Sequence, residues 1–351
     1  MSGGVDSSVV AARLAEQGHE VIGATLQLYD QRGTDTKKGA CCAGRDIQDA
    51  RRVAERIGFA HYVIDAEARF RESVIDHFAA SYAAGETPVP CVQCNRGVKF
   101  TDLLELARDL GAEAMATGHY VRRIETAAAT ELHRPLDAGR DQSWFLFATT
   151  QDQLDYLRFP LGDIADKNAV RAEAARLGLA VAEKPDSQDL CFVPGNNAAY
   201  SDLVEKLRPD IAGEGDIVDR AGRVLGRHQG VARYTTGQTK RLGHAAMIDG
   251  ERQQVVEVEP GLRRIVVGPR AGAGRRTLRL RDMNWLVTRP GEADLRCSVQ
   301  LRAREAVRPA SIRATADGAE VVLDEDALPA PGQACVLYDG TRVLGGGFIC
   351  R

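Results

Sequence analysis

A short string near the start of the chain has the composition of a phosphate-binding loop. Ser2-Gly3-Gly4-Val5-Asp6-Ser7-Ser8 leads directly into a pattern that predicts a helix. The glycines allow close approach of a ligand to the backbone, the serines supply hydroxyl donors, and the start of a helix offers unpaired N–H groups. The string is neither a Walker A loop nor G-x-G-x-x-G. We therefore expect it to bind a phosphate group, with Asp6 acting through Mg²⁺; an N-terminal tail before an ordinary helix is the alternative.

Two other segments contain cysteines that could carry sulfur or metal chemistry. One is Pro90–Arg96, with Cys91 and Cys94 in a C-x-x-C spacing, and the other is Asp186–Pro194, with Cys191. A C-x-x-C can be a redox dithiol, a pair of metal ligands, or a nucleophile with a neighbour, and small buried residues are the structural alternative. A helix start and Arg96 would lower the thiol pKa. The adjacent pair Cys41-Cys42 is expected to be structural or peripheral.

Length and composition exclude several classes of protein. The chain has 351 residues, 44% of them hydrophobic and 27% charged, which predicts a soluble globular protein of two or three domains. No apolar run approaches the length of a membrane span, and no secretory signal is recognisable at the start. Eight cysteines are too few for a disulfide scaffold. We expect a cytoplasmic protein with no membrane partner, and a monomer.

The net charge of −3 hides a strong asymmetry along the chain. Residues 262–314 contain 13 Arg, no Lys and four acidic residues, a local balance of +9 that leaves −12 for the remainder. A basic segment on an acidic protein suggests a polyanionic partner such as nucleic acid. A solvated, charged β-surface explains the same composition, and the charge alone does not separate the two.

Periodicity and turn signals divide the chain into three parts. Helix patterns alternate with short apolar strands in the first half, which predicts a doubly wound α/β domain with a parallel sheet over 1–195. A small central domain is expected over 196–262. Short β-type runs then predict a C-terminal antiparallel barrel or sandwich over 263–351. The predicted helices cover 7–17, 46–57, 98–110 and 167–177, and the predicted strands of the first part cover 21–28, 61–64 and 114–120.

Together these residues resemble the bacterial tRNA-specific 2-thiouridylases, and the resemblance covers essentially the whole chain. The first string matches the S-G-G-x-D-S signature of the PP-loop pyrophosphatases, which have the adenine nucleotide alpha hydrolase-like fold and split ATP between its α- and β-phosphates. Further matches follow in order: Gly118-His119-Tyr120, Asp141-Gln142-Ser143-Trp144-Phe145-Leu146, Ser187-Gln188-Asp189-Leu190-Cys191-Phe192, Tyr234-Thr235-Thr236-Gly237-Gln238, Leu242-Gly243, Pro331-Gly332-Gln333-Ala334 and Leu344-Gly345-Gly346-Gly347.

The resemblance implies a role for individual residues. Cys94 and Cys191 match the two catalytic cysteines, and the central domain would bind tRNA. The residues that would hold ATP are Met1, Ser2, Gly3, Gly4, Val5, Asp6, Ser7, Leu26 and Gly118. The residues that would contact tRNA are Cys91, His119, Arg140, Asp141, Gln142, Arg302 and Gln333. The implied partners are the anticodon loops of Lys-, Glu- and Gln-type tRNAs and a sulfur donor protein, either a cysteine desulfurase or a relay protein.

The implied reaction is 2-thiolation of the wobble uridine U34. Because the C2 oxygen of uracil is a poor leaving group, ATP would adenylate it and release pyrophosphate. Cys191 would carry sulfur as a persulfide. Cys94 would then reduce this persulfide, releasing sulfide for attack on C2 and forming a transient Cys94–Cys191 disulfide. The target base would have to leave the anticodon stack. This costs a few kcal/mol of free energy, and the cost is smaller in a single-stranded loop.

Two features depart from the family pattern. Many members have Asp where this chain has Cys91, so that Cys91, Cys94 and Cys191 could instead hold a 4Fe-4S cluster whose open iron binds the transferred sulfide. The chain also begins on the phosphate loop, where the fold normally has a preceding strand. We expect a form about ten residues longer to be the stable enzyme.

Two rival functions belong to other classes. The first is a non-catalytic protein that binds tRNA or a sulfur carrier, which Asp6, Ser7, Cys94 and Cys191 argue against. The second is an adenylating, amidotransferase-like enzyme for a small molecule, which the Arg-rich segment argues against. RNA binding that weakens steeply with salt would separate this second rival from a tRNA enzyme.

Overall fold

The computed structural model describes residues 1–29, 43–186, 190–193, 197–291 and 293–351. The chain forms two compact units, each assembled from several segments. Unit 1 consists of Met1–Ser73, Cys91–Pro194 and Thr341–Val343, and unit 2 consists of Val74–Pro90, Gly195–Gly340 and Leu344–Arg351. Within the described ranges, no helix is both long enough and apolar enough to cross a bilayer.

The helices and strands follow one another in a mixed order. In the described part of the chain the α-helices are α1 (Val5–Glu16), α2 (Ala43–Ile57), α3 (Glu67–Phe70), α4 (His77–Ala83), α5 (Pro90–Cys94), α6 (Leu103–Asp109), α7 (Ser143–Leu146), α8 (Gln151–Tyr156), α9 (Lys167–Arg176) and α10 (Asn197–Leu207). The strands up to the middle of the chain are β1 (Ile22–Gln27), β2 (Ala60–Asp65), β3 (Met115–Ala116), β4 (Arg122–Glu125), β5 (Thr130–His133), β6 (Leu157–Arg158), β7 (Gly215–Val218) and β8 (Val224–His228). The later strands are β9 (Met247–Ile248), β10 (Glu251–Glu259), β11 (Arg264–Pro269), β12 (Arg275–Trp285), β13 (Leu295–Gln300), β14 (Arg308–Thr315), β15 (Gly318–Ala327), β16 (Ala334–Asp339) and β17 (Arg342–Ile349).

Unit 1 is the α/β part of the chain, as the sequence predicts. Its core forms where α1 packs against α9 and α2, and the buried side chains of this core include Val9, Val53, Leu161 and Val170. Apolar residues three or four apart on each helix supply one face for this packing. The predicted helices over 7–17, 46–57 and 167–177 correspond to α1, α2 and α9. The predicted helix over 98–110 is longer than expected, because α5, a π-helix (Asn95–Asp102) and α6 run on continuously.

The parallel sheet of unit 1 differs from the prediction. β1 pairs in parallel with β2, and β3 pairs in parallel with β6, but within the described residues these remain two separate sheets. β3 contains only Met115 and Ala116 of the predicted strand over 114–120. Met1 lies beside β1, where its amine donates to the Ala24 carbonyl and its carbonyl accepts from Thr25 Oγ1 at 2.7 Å.

Unit 2 contains two β-structures. The first is a five-stranded sheet in the order β8-β7-β11-β10-β9, in which β7 and β11 are parallel and the other pairs are antiparallel. The second is a closed six-stranded barrel in the order β12-β15-β14-β13-β16-β17, with β17 returning to β12. The predicted barrel is confirmed, although β11, which lies within the range 263–351 predicted for the barrel, belongs to the other sheet. Residues 74–90, predicted as part of the first domain, lie in unit 2, where Phe78 packs on Tyr200 with ring centroids 6.3 Å apart.

Part of the excess positive charge in the Arg-rich segment is neutralised in space. Acidic residues from elsewhere in unit 2 pair with these arginines, and others of the arginines bond to backbone carbonyls. The ion pairs to acids outside the segment are Arg264–Glu259, Arg276–Asp326, Arg281–Glu86 and Arg296–Asp324. Strand pairing brings acids that are remote in sequence next to the arginines. The local balance of +9 therefore overstates the positive charge that the barrel presents.

Two neighbouring valines on β15 lie on opposite faces of the strand and should differ in what they contribute to the stability of the barrel. Val321 is fully buried, whereas Val322 is 44% exposed. We expect Val321→Ala to lower the free energy of unfolding by about 2 kcal/mol, because it removes buried methyl groups and leaves a cavity. The matched change Val322→Ala should stay within about 0.5 kcal/mol of the parent. Differential scanning calorimetry of both variants checks this, and equal shifts of the transition would contradict the assigned register.

Candidate active site

The Ser2–Ser7 loop forms an uncapped helix start. Gly4 precedes α1 in an extended conformation, and no side chain caps the first turn. The Ser2 N–H donates to Ser7 Oγ at 3.0 Å, and the two serine hydroxyls lie 3.2 Å apart. The N–H groups of the first turn have no helical partner and carry the positive end of the helix dipole. The loop is therefore suited to bind an anion such as a phosphate, as the sequence predicts.

Close backbone packing fixes the conformation of this loop. Gly3 has a φ of +72°, and a Cβ there would lie 2.2 Å from the Asp46 carbonyl oxygen. Lys184 binds the same region, since its ammonium donates to the Gly3 carbonyl at 2.9 Å, to Asp46 at 2.7 Å and to Asp49 at 2.6 Å. This lysine joins the loop to the first turns of α2.

Gly118 approaches the loop from the residues that follow β3. A Cβ at Gly118 would lie 2.8 Å from the Ser7 nitrogen and 3.0 Å from the Asp6 carbonyl carbon. Gln142 supports this segment, because its Oε1 accepts from the Tyr120 N–H at 2.8 Å and its N–H donates to the Tyr120 carbonyl. The structure thus brings together the loop, the Gly118–Tyr120 motif and Gln142.

A network of charged residues extends from Asp6. Lys167 donates to both Asp6 oxygens, at 2.6 and 2.7 Å, and the Tyr120 hydroxyl donates to Asp6 Oδ1 at 2.6 Å. Lys167 also binds Asp186 at 2.9 Å, and Arg140 binds the other oxygen of Asp186 at 2.5 Å. Burial favours the neutral form of Asp186, but the neighbouring Lys167 and Arg140 outweigh it and lower its pKa. The network joins the phosphate loop to the residue that opens the Cys191 segment.

Sequence reasoning missed Lys167 and Lys184. Lys167 is the first residue of α9, directly after its N-cap Asp166, and it is buried. A lysine at a helix N-terminus is repelled by the positive end of the helix dipole. That unfavourable position is the signal that could have marked Lys167 for a partner outside the helix.

An apolar cavity lies at the ends of β1 and β2. Its volume is about 350 Å³, and its walls include Leu26, Ile64, Val98 and Leu106 with the polar residues Asp65, Arg69 and Asp102. A flat heteroaromatic ring suits such a cavity because its faces are apolar and its edges can hydrogen-bond. Leu26, which the resemblance places against adenine, lines this cavity.

The three candidate cysteines lie in unit 1 but differ in exposure. Cys91 and Cys191 are exposed, whereas Cys94, one helical turn after Cys91, is buried. The prediction of an acidified thiol is wrong for Cys94: burial raises its pKa, and the positive charge of Lys99 opposes that effect only in part. Cys94 lies at the end of α5, beyond the first turn where the dipole would act.

The 4Fe-4S alternative does not fit the cysteines as they are placed. No three His, Cys, Asp or Glu side chains within the described ranges lie close enough together to hold a metal ion. Cys91, Cys94 and Cys191 therefore do not form the three-ligand set that a cluster requires.

Two further cysteines lie inside the barrel. Cys297 and Cys335 are buried, and burial raises the pKa of Cys297 to about 11 and that of Cys335 further. Cys41, Cys42 and the Ser187–Asp189 part of the second cysteine motif lie outside the described residues.

The residues that the resemblance assigned to tRNA fall into two groups. In unit 1, His119 is partly buried, and burial together with Lys99 lowers its pKa to about 3, so the ring is neutral at physiological pH. Asp141 binds Arg134 at 3.0 Å, so it positions the Arg140–Gln142 turn from within the unit.

The other two tRNA candidates share a cavity in unit 2. Arg302 and Gln333 line a cavity of about 280 Å³ together with Thr87 and the Thr235–Gln238 turn. Arg302 donates through Nη2 to the carbonyls of Thr236 and Leu328, and Gln333 donates to the Thr87 carbonyl at 3.0 Å. Two sequence motifs that lie far apart in the chain thus line one polar cavity.

Comparison with known proteins matches the whole chain. Residues 1–195 match the family model described as "tRNA methyl transferase HUP domain", residues 202–269 the "tRNA methyl transferase PRC-barrel domain", and residues 275–349 the "Aminomethyltransferase beta-barrel domain". Three curated relatives are each named tRNA-specific 2-thiouridylase MnmA. The Gluconobacter oxydans relative is 67% identical over 99% of this chain and 97% of its own. The Acidiphilium cryptum relative is 62% identical over 99% of this chain and 98% of its own. The Paracoccus denitrificans relative is 56% identical over 99% of this chain and 90% of its own.

The matches agree with the order of the sequence motifs and with the α/β unit followed by two β-structures. At this identity and coverage, the chain belongs to the family of tRNA-specific 2-thiouridylases.

Proposed function

We propose that this protein thiolates C2 of the wobble uridine of tRNA and converts ATP to AMP and pyrophosphate. One observation carries the proposal: an uncapped helix start suited to phosphate lies in the same unit as an exposed and a buried cysteine, Cys191 and Cys94. A phosphate site alone would suit many enzymes, and cysteines alone many others. The curated relatives, which carry the name 2-thiouridylase, support the combination.

In the first step the C2 oxygen of the base attacks the α-phosphorus of ATP and pyrophosphate leaves. The Ser2–Ser7 loop binds the phosphates through its N–H groups and hydroxyls, and the cavity at Leu26 receives the adenine. Mg²⁺ would be held mainly by the phosphate oxygens, because both Asp6 oxygens already accept hydrogen bonds from Lys167 and only their remaining lone pairs could face the ion. The ion neutralises charge on the phosphates when it is bound.

In the second step sulfur replaces the adenylated oxygen. A donor protein loads exposed Cys191 with a persulfide. The Cys94 thiolate attacks the Cys191 sulfur, the S–S bond of the persulfide breaks, and hydrosulfide leaves. Hydrosulfide attacks C2, AMP departs, and the Cys94–Cys191 disulfide that remains is reduced by an external thiol. Because burial raises the pKa of Cys94, its proton must be lost on substrate binding before this attack.

Substrate class and setting follow from the same proposal. The tRNAs are those with Lys, Glu and Gln anticodons, and the sulfur donor is a cysteine desulfurase or a relay protein, in the cytoplasm. Sulfur transfer accounts for the phosphate loop and the cysteines together. Methyl transfer, which the family-model descriptions mention, would leave Cys94 and Cys191 without a role.

The products of ATP test this proposal directly. With undermodified tRNA, Mg²⁺, a sulfide source and ATP labelled at the α-phosphate, we expect AMP and 2-thiouridine in the same reaction. Cys191→Ser should abolish thiolation from a persulfide donor, whereas Cys350→Ser, outside the site, should not change it. Release of ADP instead of AMP, or undiminished thiolation by Cys191→Ser when the sulfur comes from the persulfide donor, would refute the mechanism.

The contact of Gly118 with the loop predicts an effect on nucleotide binding. Gly118→Ala adds a Cβ that would lie 2.8 Å from the Ser7 nitrogen, so the phosphate loop must shift. We expect ATP to bind about tenfold more weakly, a free-energy loss of about 1.4 kcal/mol. Gly226→Ala is the control, because its Cβ meets no atom within 4 Å. Isothermal titration calorimetry measures both, and equal affinities would show that the approach of Gly118 is unimportant.

The cavity in unit 2 predicts how RNA binding depends on salt. If Arg302 contacts a phosphate, Arg302→Met should weaken tRNA binding and reduce the slope of log K against log salt by about one. Arg302→Lys should retain the slope because it retains the charge. The control is Arg313→Met, which removes an exposed arginine paired with Asp294. Filter binding at several salt concentrations decides, and an unchanged slope for Arg302→Met would contradict the contact.

A further inference from the structure

Lys167 occupies a position that a lysine seldom takes. Its side chain is only 8% exposed, and its ammonium lies between two carboxylates, Asp6 and Asp186, at 2.6 and 2.9 Å. A buried ammonium is stable only while its partners and hydrogen bonds remain in place. The three groups therefore fix one another's positions within unit 1.

The two carboxylates belong to two different segments, the phosphate loop and the Cys191 segment. Asp6 is in the first turn of α1, within the phosphate loop. Asp186 lies five residues before Cys191 in the sequence. Downstream of Cys191, the Phe192 ring packs edge-on against Phe70 at 5.7 Å. Lys167 therefore links the loop directly to Asp186, the residue that opens the Cys191 segment.

Further contacts make Asp186 a fixed point. Arg140 binds Asp186 Oδ2, and Arg171, on the same helix as Lys167, lies 3.5 Å from Oδ1. Tyr120 holds the other carboxylate, Asp6, through its hydroxyl at 2.6 Å. Apolar residues of similar volume commonly stabilise a buried site as well as an ion pair does, so stability alone does not account for this set of charges.

We propose that Lys167 is a positioning residue that couples the adenylation step to sulfur transfer, an inference that rests on the proposed function. It holds the ATP loop through Asp6 and the start of the Cys191 segment through Asp186. The position of the loop and that of Asp186, five residues before the sulfur carrier, are thereby fixed relative to each other. Without this link, the base is still adenylated, but the persulfide is not held in place when the adenylate forms.

The chemical consequence of lost coupling is wasted ATP. An adenylated C2 oxygen that meets no hydrosulfide is attacked by water, which regenerates uridine and releases AMP. The cysteines are not oxidised to a disulfide in that case, because the Cys191 persulfide is not consumed. The ratio of AMP formed to 2-thiouridine formed therefore reports coupling, whereas a purely structural defect lowers both products together.

The experiment measures both products for the full-length protein at saturating ATP and tRNA, with a persulfide donor. The wild-type ratio should lie near one AMP per 2-thiouridine. Asp186→Asn and Lys167→Met should raise this ratio about fivefold to tenfold, because each breaks the link on the Cys191 side. Lys167→Arg should restore most of the coupling, since it retains the charge between the carboxylates.

Arg176→Met is the matched control, because Arg176 is on the same helix and pairs with Glu16 and Glu173 at the surface. It should leave the ratio unchanged. If Lys167→Met fails to fold in a thermal melt, Asp186→Asn and Lys167→Arg still decide the outcome. Variants that keep the wild-type ratio refute the coupling alone, whereas a wild-type protein that makes AMP without 2-thiouridine refutes the proposed function and this inference with it.

Discussion

The start of α1 is the constraint on which the rest of unit 1 depends. A helix whose first turn has no side-chain cap leaves N–H groups without partners, and these are best satisfied by an anion. The surrounding residues preserve that condition. Gly3 turns the chain with a positive φ, Lys184 holds the Gly3 carbonyl, and Gly118 packs against the backbone where a side chain would collide. Each contact fixes the loop from outside and leaves its N–H groups for the ligand.

Unit 2 presents its polar groups from a rigid β-framework. The six-stranded barrel closes on itself, so none of its strands is left with an unpaired edge to associate with another chain. Several of its arginines pair with acids. Arg302 and Gln333 instead donate to backbone carbonyls, which orient both of them along one cavity.

Local signals predicted the features that local physics determines. The predicted helices over 7–17, 46–57 and 167–177 are each followed by a glycine with positive φ, namely Gly18, Gly58 and Gly178, and glycine adopts that conformation without strain. The loop, its helix and the barrel were likewise predictable. The partners of Lys167 and of the barrel arginines were not, because they lie far away in the sequence and only the fold brings them together. Cys94 shows the same limit: its motif suggested a reactive thiol, but its burial depends on how α5 packs.

The burial of Cys297 and Cys335 has a consequence for a protein that handles reactive sulfur. Both thiols lie in the closed barrel, and the pKa of each is raised well above neutrality, so neither is a thiolate under ordinary conditions. Polysulfide and oxidants react with thiolates at the surface. The two thiols inside the barrel are therefore poorly reactive toward the sulfur reagent that the protein handles at its surface.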